Sequence, residues 1–212
     1  MAFTTKLTLT ALLAIGSCAA QSWEFGGFGG YSIYRNGNLT TASGEGSAGF
    51  RHGVAFGAVL GNDLYRYVGG EFRYTFIDNS MKLDFGGQQA RMGGESHAFH
   101  YDFLVHAAPR GSVVRPFIAA GAGGKFYRGT GEEVAVQPLM QYAVLTHTSE
   151  WQPLLSVGAG VKVRVSHNVQ VRFEVRDYAT PFPKALITPM RGSTVGGWLH
   201  NFVPMAGVSA VF

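Results

Sequence analysis

The feature that most constrains the fold of this chain is a period-two alternation of apolar and polar side chains. In residues 169–176, apolar side chains on one face alternate with Gln170, Arg172, Glu174 and Arg176 on the other. This spacing is typical of a β-strand, in which successive side chains point to opposite faces. After residue 20, no helical period of apolar residues continues over three turns. The sequence therefore predicts an all-β protein.

Eight blocks carry the alternating pattern, and each is about as long as one strand of a sheet. They are residues 23–34, 50–60, 68–77, 96–107, 116–127, 154–165, 169–176 and 199–212. The connections between them alternate in length: 61–63, 108–114 and 166–168 are short, whereas 35–47, 78–94, 128–150 and 178–197 are long. This order predicts an up-and-down antiparallel sheet with all of its long loops at one end. Residues 134–148 are apolar enough to form an extended strand pair, but we interpret them as part of the third long loop.

The composition excludes several other classes of protein. Of the 212 residues, 46% are hydrophobic and only 14% are charged, and there are 30 glycines. A soluble helical domain has about a quarter of charged residues and fewer glycines, so a helix bundle is not expected. The net charge of +4 is scattered along the chain, which argues against a nucleic-acid partner. The single cysteine, Cys18, excludes an intramolecular disulfide and a zinc site built from cysteines.

The amino terminus has the pattern of a secretory signal peptide. Lys6 precedes an apolar run at residues 7–15, and small residues follow at 16–20. Cleavage after Ala20 would divide the chain into a signal peptide, 1–20, and one domain, 21–212. Alternatively, Cys18 is acylated as in a lipoprotein. No later run approaches the 18 or more apolar residues that a membrane-spanning helix requires.

With these features, the chain resembles the small OmpA/OmpX-type outer-membrane β-barrels of Gram-negative bacteria, over residues 23–212. The segment Gly-Gly-Glu-Phe-Arg-Tyr at 69–74 is similar to a strand of that family, and the last strand ends in Phe212. The resemblance implies an eight-stranded antiparallel transmembrane β-barrel in the cell outer membrane. It also implies that Phe212 is the signal presented to the outer-membrane insertion machinery. Aromatic residues near strand ends would form the interfacial girdles: Trp23, Tyr65, Tyr101, Tyr127, Trp151 and Trp198.

Strand parity predicts an interior charge network on the inward face of such a barrel. Its members would be Glu24, Arg51, Glu71, Arg73, Asp102, Lys125, Lys162, Arg164, Arg172, Glu174 and Arg176. We interpret this set as structural salt bridges, because enclosed charges must be paired or hydrated. Alternatively, the set lines a narrow pore, and its positive excess would then favour anions. His100 and His106 share the face of Asp102, but residues four apart on a strand lie about 13 Å apart, too far for one metal ion. We predict no metal, no cofactor and no catalytic residue.

The sequence predicts the function of the protein in less detail than its fold. The leading hypothesis is a non-enzymatic barrel with a structural or surface-interaction role through its outer loops, contacting an unknown extracellular ligand. Outer-membrane lipids and lipopolysaccharide would surround it. A small low-conductance channel, a lipid A-modifying enzyme using His52 and a soluble binding barrel are the alternatives, in that order. No serine and carboxylate converge on His52 in the predicted strands, which argues against the enzyme.

Overall fold

The computed structural model describes residues 22–212. The expected signal peptide at 1–20 and the acylation of Cys18 lie outside the described residues. The described part of the chain forms strands β1 to β15 and contains no α-helix. Across residues 22–212, no helix is long and apolar enough to cross a membrane.

A closed antiparallel barrel forms the centre of the molecule. Its strands are β1 (Trp23–Arg35), β4 (Gly53–Asp63), β5 (Val68–Asp78), β8 (Gly94–His106), β9 (Val114–Gly129), β11 (Ser149–Arg164), β12 (Val169–Pro181) and β15 (Trp198–Val211). Around the barrel the order is β1, β15, β12, β11, β9, β8, β5 and β4, and β4 pairs with β1 to close it. The predicted eight-stranded antiparallel barrel is confirmed. Closure pairs every strand on both sides, so the barrel has no free edge.

The ends of the barrel differ as the connection lengths predict. Short turns at 64–67, 107–113 and 165–168 lie at one end, the short-turn end, together with the chain termini of the barrel. The first of these turns was predicted at 61–63, but those residues continue β4 because they pair with both β1 and β5. Phe212 is exposed, and its backbone exchanges hydrogen bonds with Trp23 across the closing seam.

At the other end, the long connections are folded into a β-structured cap. The cap comprises residues 36–52, 79–93, 130–148 and 182–197. Its strands are β2 (Gly37–Thr41), β3 (Gly44–Phe50), β6 (Met81–Phe85), β7 (Gln88–Met92), β10 (Ala143–Leu145), β13 (Ile187–Pro189) and β14 (Ser193–Gly196). They form a five-stranded sheet in the order β14, β2, β3, β6, β7 and a two-stranded sheet of β10 with β13. Of residues 134–148, only β10 is a strand, and its partner β13 belongs to the last long connection.

The outward face of the barrel sheet is apolar, whereas the charged side chains point inward. Two aromatic residues lie on the face opposite to the predicted one. Outward side chains are large, apolar and exposed, such as Phe72, Phe103 and Phe173. Tyr127, expected in an outer girdle, points inward and is fully buried. Phe50 precedes Arg51, which is predicted to face inward, so alternation puts Phe50 on the outer face. It is also buried, because β3 ends at residue 50 and the barrel strand β4 begins only at Gly53. The two intervening residues break the parity.

One apolar core joins the cap to the adjacent end of the barrel. Phe50 stacks on Tyr127 with ring centroids 5.1 Å apart and lies 5.3 Å from Tyr34. Leu39 and Leu83 extend the same buried cluster through the five-stranded sheet. The cap is therefore packed as a small hydrophobic unit on top of the barrel.

Candidate functional site

The interior charge network lies in the half of the barrel nearest the short turns. Its ion-paired members are Glu24, Glu71, Arg73, Asp102, Lys162, Arg172, Glu174 and Arg176. Their side chains come from β1, β5, β8, β11 and β12, and all are buried. Alternation places each on the inward face, as the sequence predicts.

Glu71 is the hub of this network. Its carboxylate lies 2.8 Å from Nη2 of Arg172, 2.8 Å from Nζ of Lys162 and 3.2 Å from Nη1 of Arg73. Arg176 approaches the same carboxylate at 3.6 Å. Four cations surround this one buried carboxylate and fix its position.

The salt bridges cross the lumen from wall to wall. β5 and β12 are four places apart in the eight-stranded order, so they form opposite walls of the barrel. Glu71 on β5 receives Arg172 from β12, and Arg73 on β5 donates to both carboxylate oxygens of Glu174 on β12 at 2.6 and 3.1 Å. These charged side chains fill the space between the walls. An eight-stranded barrel is just narrow enough for side chains to do so.

The remaining bonds complete a charge-balanced cluster. Arg176 donates to Asp102 at 2.7 Å, and Asp102 also contacts Nδ1 of His100 at 3.0 Å. Lys162 donates to Glu24 at 2.6 Å. Four carboxylates thus face four permanent cations, so the positive excess expected from the sequence is absent from this cluster. The ring of Phe117 lies beneath the cations, 5.7 Å from both Lys162 and Arg172.

Glycines on β11 give the long side chains their room. A Cβ atom at Gly160 would lie 2.6 Å from Cβ of Glu174 and 2.8 Å from the ring of Phe117. The inward glycines of this strand are therefore required by close approach rather than by a turn. Gly121 on β9 has the same role, because a Cβ there would overlap the carboxylate of Asp102.

Three predicted members are not ion-paired in the network. Arg51 is exposed in the break between β3 and β4, and Arg164 is exposed at the short-turn end of β11. Predicting both as interior residues was wrong, because alternation gives the face of a strand residue but not where the barrel wall ends. Lys125 is buried as predicted, but it lies nearer the cap than the network does. There its Nζ donates to the hydroxyl of Tyr34 at 2.9 Å and lies 5.0 Å from the rings of Tyr34 and Tyr127.

Sequence reasoning missed an ion pair inside the barrel. Arg115 on β9 donates to Asp63 on β4 at 2.8 Å, between the network and the short-turn end. Arg115 precedes the predicted block 116–127 by one residue, and extending the block by parity with Phe117 would have placed Arg115 inside. His106 is buried beside Phe117, with ring centroids 5.8 Å apart, and forms no hydrogen bond through its ring among the described residues.

A second polar cluster lies on the outer face near the cap. The hydroxyl of Tyr74 is 2.9 Å from Nδ1 of His97, and Glu95 lies 3.7 Å from Nε2 of the same ring. The adjacent hydroxyl of Ser96 points inward and donates to Asn79. His52, the histidine considered for an enzyme, receives a hydrogen bond from the backbone of Tyr34. Neither histidine is joined to a serine hydroxyl, which a nucleophile-and-base pair would require.

The described residues contain no group of three or more His, Cys, Asp or Glu side chains that could hold a metal ion.

A closed eight-stranded barrel with an apolar outer face and charges crossing its lumen defines a small outer-membrane β-barrel protein. The sequence matches the outer membrane protein beta-barrel domain family over residues 7–189, and the chain belongs to that family. A comparison with curated proteins finds no match.

Solved structures show the same fold at low sequence identity. Neisserial surface protein A is 12% identical with a TM-score of 0.55, covering 90% of this chain and 97% of its own. The outer membrane protein OprG from Pseudomonas aeruginosa is 12% identical with a TM-score of 0.51, covering 91% and 95%. The N-terminal barrel domain of Pseudomonas aeruginosa OprF is 15% identical with a TM-score of 0.50, covering 90% and 97%. At these identities the likeness shows the fold alone.

Proposed function

We propose that this protein is a non-enzymatic outer-membrane barrel that anchors a folded cap at the cell surface, with a structural or surface-interaction role. The observation that carries the proposal is the set of salt bridges joining opposite walls, Arg172 to Glu71 and Arg73 to Glu174. Because these salt bridges fill the lumen, the barrel serves to hold the protein in the membrane rather than to conduct. The cap is then the part of the protein that contacts the exterior.

The orientation follows from the lengths of the connections. Outer-membrane barrels have short turns on the periplasmic side and longer loops outside. The short turns at 64–67, 107–113 and 165–168 would therefore face the periplasm, and the cap would face outward. A cap packed on a buried core that it shares with the end of the barrel presents a defined surface rather than flexible loops, which supports recognition of an extracellular ligand.

A channel would require this network to rearrange. Because the ion-paired cluster is charge-balanced, an open state would not inherit the anion preference that the sequence suggested. We therefore expect no discrete conductance from the protein reconstituted in planar lipid bilayers. A control recording on Glu71→Gln, in which the hub carboxylate is lost, shows whether the network is what blocks the lumen. Reproducible unitary currents from the unaltered protein would contradict the anchor proposal and show that the protein is a channel.

Surface exposure of the cap is tested by labelling intact cells with a membrane-impermeant amine reagent. Lys184 lies exposed in the cap, whereas Lys125 and Lys162 are buried inside the barrel. We expect mass spectrometry of the recovered protein to find the label on Lys184 and not on the two interior lysines, which serve as controls within the same chain. An unlabelled Lys184 would contradict the proposed orientation. A mass change in lipid A on expression would contradict the non-enzymatic role.

A further inference from the structure

A cleft of about 280 Å³ lies where the cap meets the outer face of the barrel, beside the β6–β7 hairpin. It is lined by Tyr31, Asn36, Phe50, Arg51, His52, Lys82 and Arg91. It is separate from the interior charge network, and the inference below rests on the orientation proposed above, with the cap outward, but not on the surface role. Except for Phe50, every residue that lines it has a polar side chain.

Three of these side chains are cations held close together. Lys82 and Arg91 are direct cross-strand partners on β6 and β7, so they share one face of the hairpin. Like charges placed opposite each other oppose strand pairing. Lys82 is paired with Asp84 at 2.6 Å, but Arg51 makes no side-chain hydrogen bond or ion pair within residues 22–212. Arg91 is hydrogen-bonded to the neutral side chain of Gln89, so only Lys82 is paired with a carboxylate and the cleft keeps a positive excess.

The neutral polar groups in the cleft are oriented as hydrogen-bond donors. Nδ1 of His52 accepts the backbone N–H of Tyr34 at 3.1 Å, so in the neutral ring the proton lies on Nε2. Oδ1 of Asn36 accepts the backbone N–H of Phe50 at 3.0 Å, which leaves its amide hydrogens to donate. Together with the cations, these groups match a ligand with several anionic acceptor oxygens, such as a phosphate.

The position of the cleft indicates which kind of molecule carries that phosphate. Tyr31 shares the outward face of β1 with Ile33 and is the cross-strand partner of Val54, and all three are exposed. The cleft thus lies at the edge of the apolar surface that contacts lipid. We propose that this cleft binds a phosphate on the headgroup of an outer-leaflet lipid whose acyl chains lie along that apolar surface.

The test is native mass spectrometry of the intact protein in neutral detergent, titrated with three probes. These are bisphosphorylated lipid A, the same lipid with its phosphates removed, and inorganic phosphate. We expect the phosphorylated lipid to bind at least about tenfold more tightly than the dephosphorylated one, because charge-assisted hydrogen bonds are the strong ones. The triple variant Arg51→Gln, Lys82→Gln, Arg91→Gln should lose that preference.

A matched control removes the same charge elsewhere on the exposed surface. Arg128→Gln, Lys184→Gln and Arg191→Gln together should keep the preference of the unaltered protein. Folding of each variant is checked by its faster migration in unheated gel samples, which reports the barrel, and by limited proteolysis, which reports the cap. If the cleft triple variant does not fold, the single variant Arg51→Gln replaces it, because that side chain makes no contact that holds the fold.

Three results would overturn the proposal. The first is equal binding of the two lipids by the unaltered protein. The second is equal loss in the cleft variant and the control variant. The third is binding of inorganic phosphate as tightly as lipid A, which would make the cleft a site for a soluble anion instead of a lipid.

Discussion

The half of the barrel nearest the short turns and the cap both have buried interiors, but opposite kinds of side chain fill them. That half of the barrel is filled by charged side chains, and Glu71 is bonded to Lys162 and Arg172 from other strands. The cap is filled by apolar groups such as Leu39 and Leu83, which are fully buried. A charge cluster depends on every partner being present, whereas an apolar core tolerates graded changes in volume. Substitutions of similar size should therefore have different consequences in the two regions.

The largest effect is expected from Glu71→Gln, which keeps the shape of the hub and removes its charge. The surrounding cations, Lys162 and Arg172 among them, would lose a shared buried partner, at an expected cost of about 3–5 kcal/mol in the free energy of unfolding. Urea unfolding of the reconstituted barrel measures it.

The matched control is Glu45→Gln on the exposed cap, which should change the free energy of unfolding by less than about 0.5 kcal/mol. The double variant Glu71→Gln, Lys162→Gln should cost less than the sum of the single variants, because it removes one charge of each sign. Strict additivity would show that the two side chains act independently and that the network is not one unit.

The next effect is expected in the cap, from Leu83→Ala. Leu83 lies in the middle of β6 and pairs with Ala48 and Ala90 in the five-stranded sheet. Its truncation leaves a cavity and should cost about 2–5 kcal/mol. Because that loss lies outside the barrel, limited proteolysis should cut the cap more readily while the gel migration of the closed barrel stays unchanged. Val136→Ala, an exposed cap position, is the control. A barrel that opens together with the cap would show that the two regions unfold as one.

A smaller effect is expected from Gly160→Ala in the barrel wall. The added methyl group would press on Glu174 and Phe117, and the strain should cost about 1–3 kcal/mol. Gly29→Ala is the matched control, since a Cβ at Gly29 meets no atom within 4 Å. The control should be neutral or slightly stabilising, because alanine is less flexible than glycine in a strand. Equal losses at the two positions would mean that backbone conformation, not the crowding of the network, selects these glycines.

The sequence predicts the barrel better than the cap for a physical reason. In a membrane-spanning strand, one face contacts lipid and the other the lumen, so alternation alone assigns Glu71, Arg73 and Arg172 to the interior. Cap strands have no such constraint: Gly37–Thr41 and Gly44–Phe50 carry few apolar residues. Strand β2 also pairs with β14, about 150 residues away along the chain, which local patterns cannot reveal.

The misplaced site residues have the same origin. Arg164 follows the correct parity for an interior residue but lies where the barrel wall ends, whereas Arg51 lies between β3 and β4, where the strand alternation is interrupted. A periodic pattern fixes the direction of a side chain and carries no information about depth along the barrel axis. Depth decided whether a cation joined the network, remained exposed or, as for Lys125, lay among aromatic rings.

Lys125 tests the difference between the charged barrel interior and the apolar cap most directly, because it is a buried cation at the boundary between the two regions. It forms no salt bridge with a carboxylate among the described residues, and it contacts the rings and hydroxyl of its tyrosine neighbours. A cation without such a partner gains little to offset its loss of hydration, so an apolar side chain of similar length should serve as well. We expect Lys125→Met to change the free energy of unfolding by less than about 1 kcal/mol, against several kcal/mol for Glu71→Gln. Urea unfolding of both variants under identical conditions makes the comparison. A loss at Lys125 as large as that at Glu71 would mean that the charge-dependent region extends up to the base of the cap.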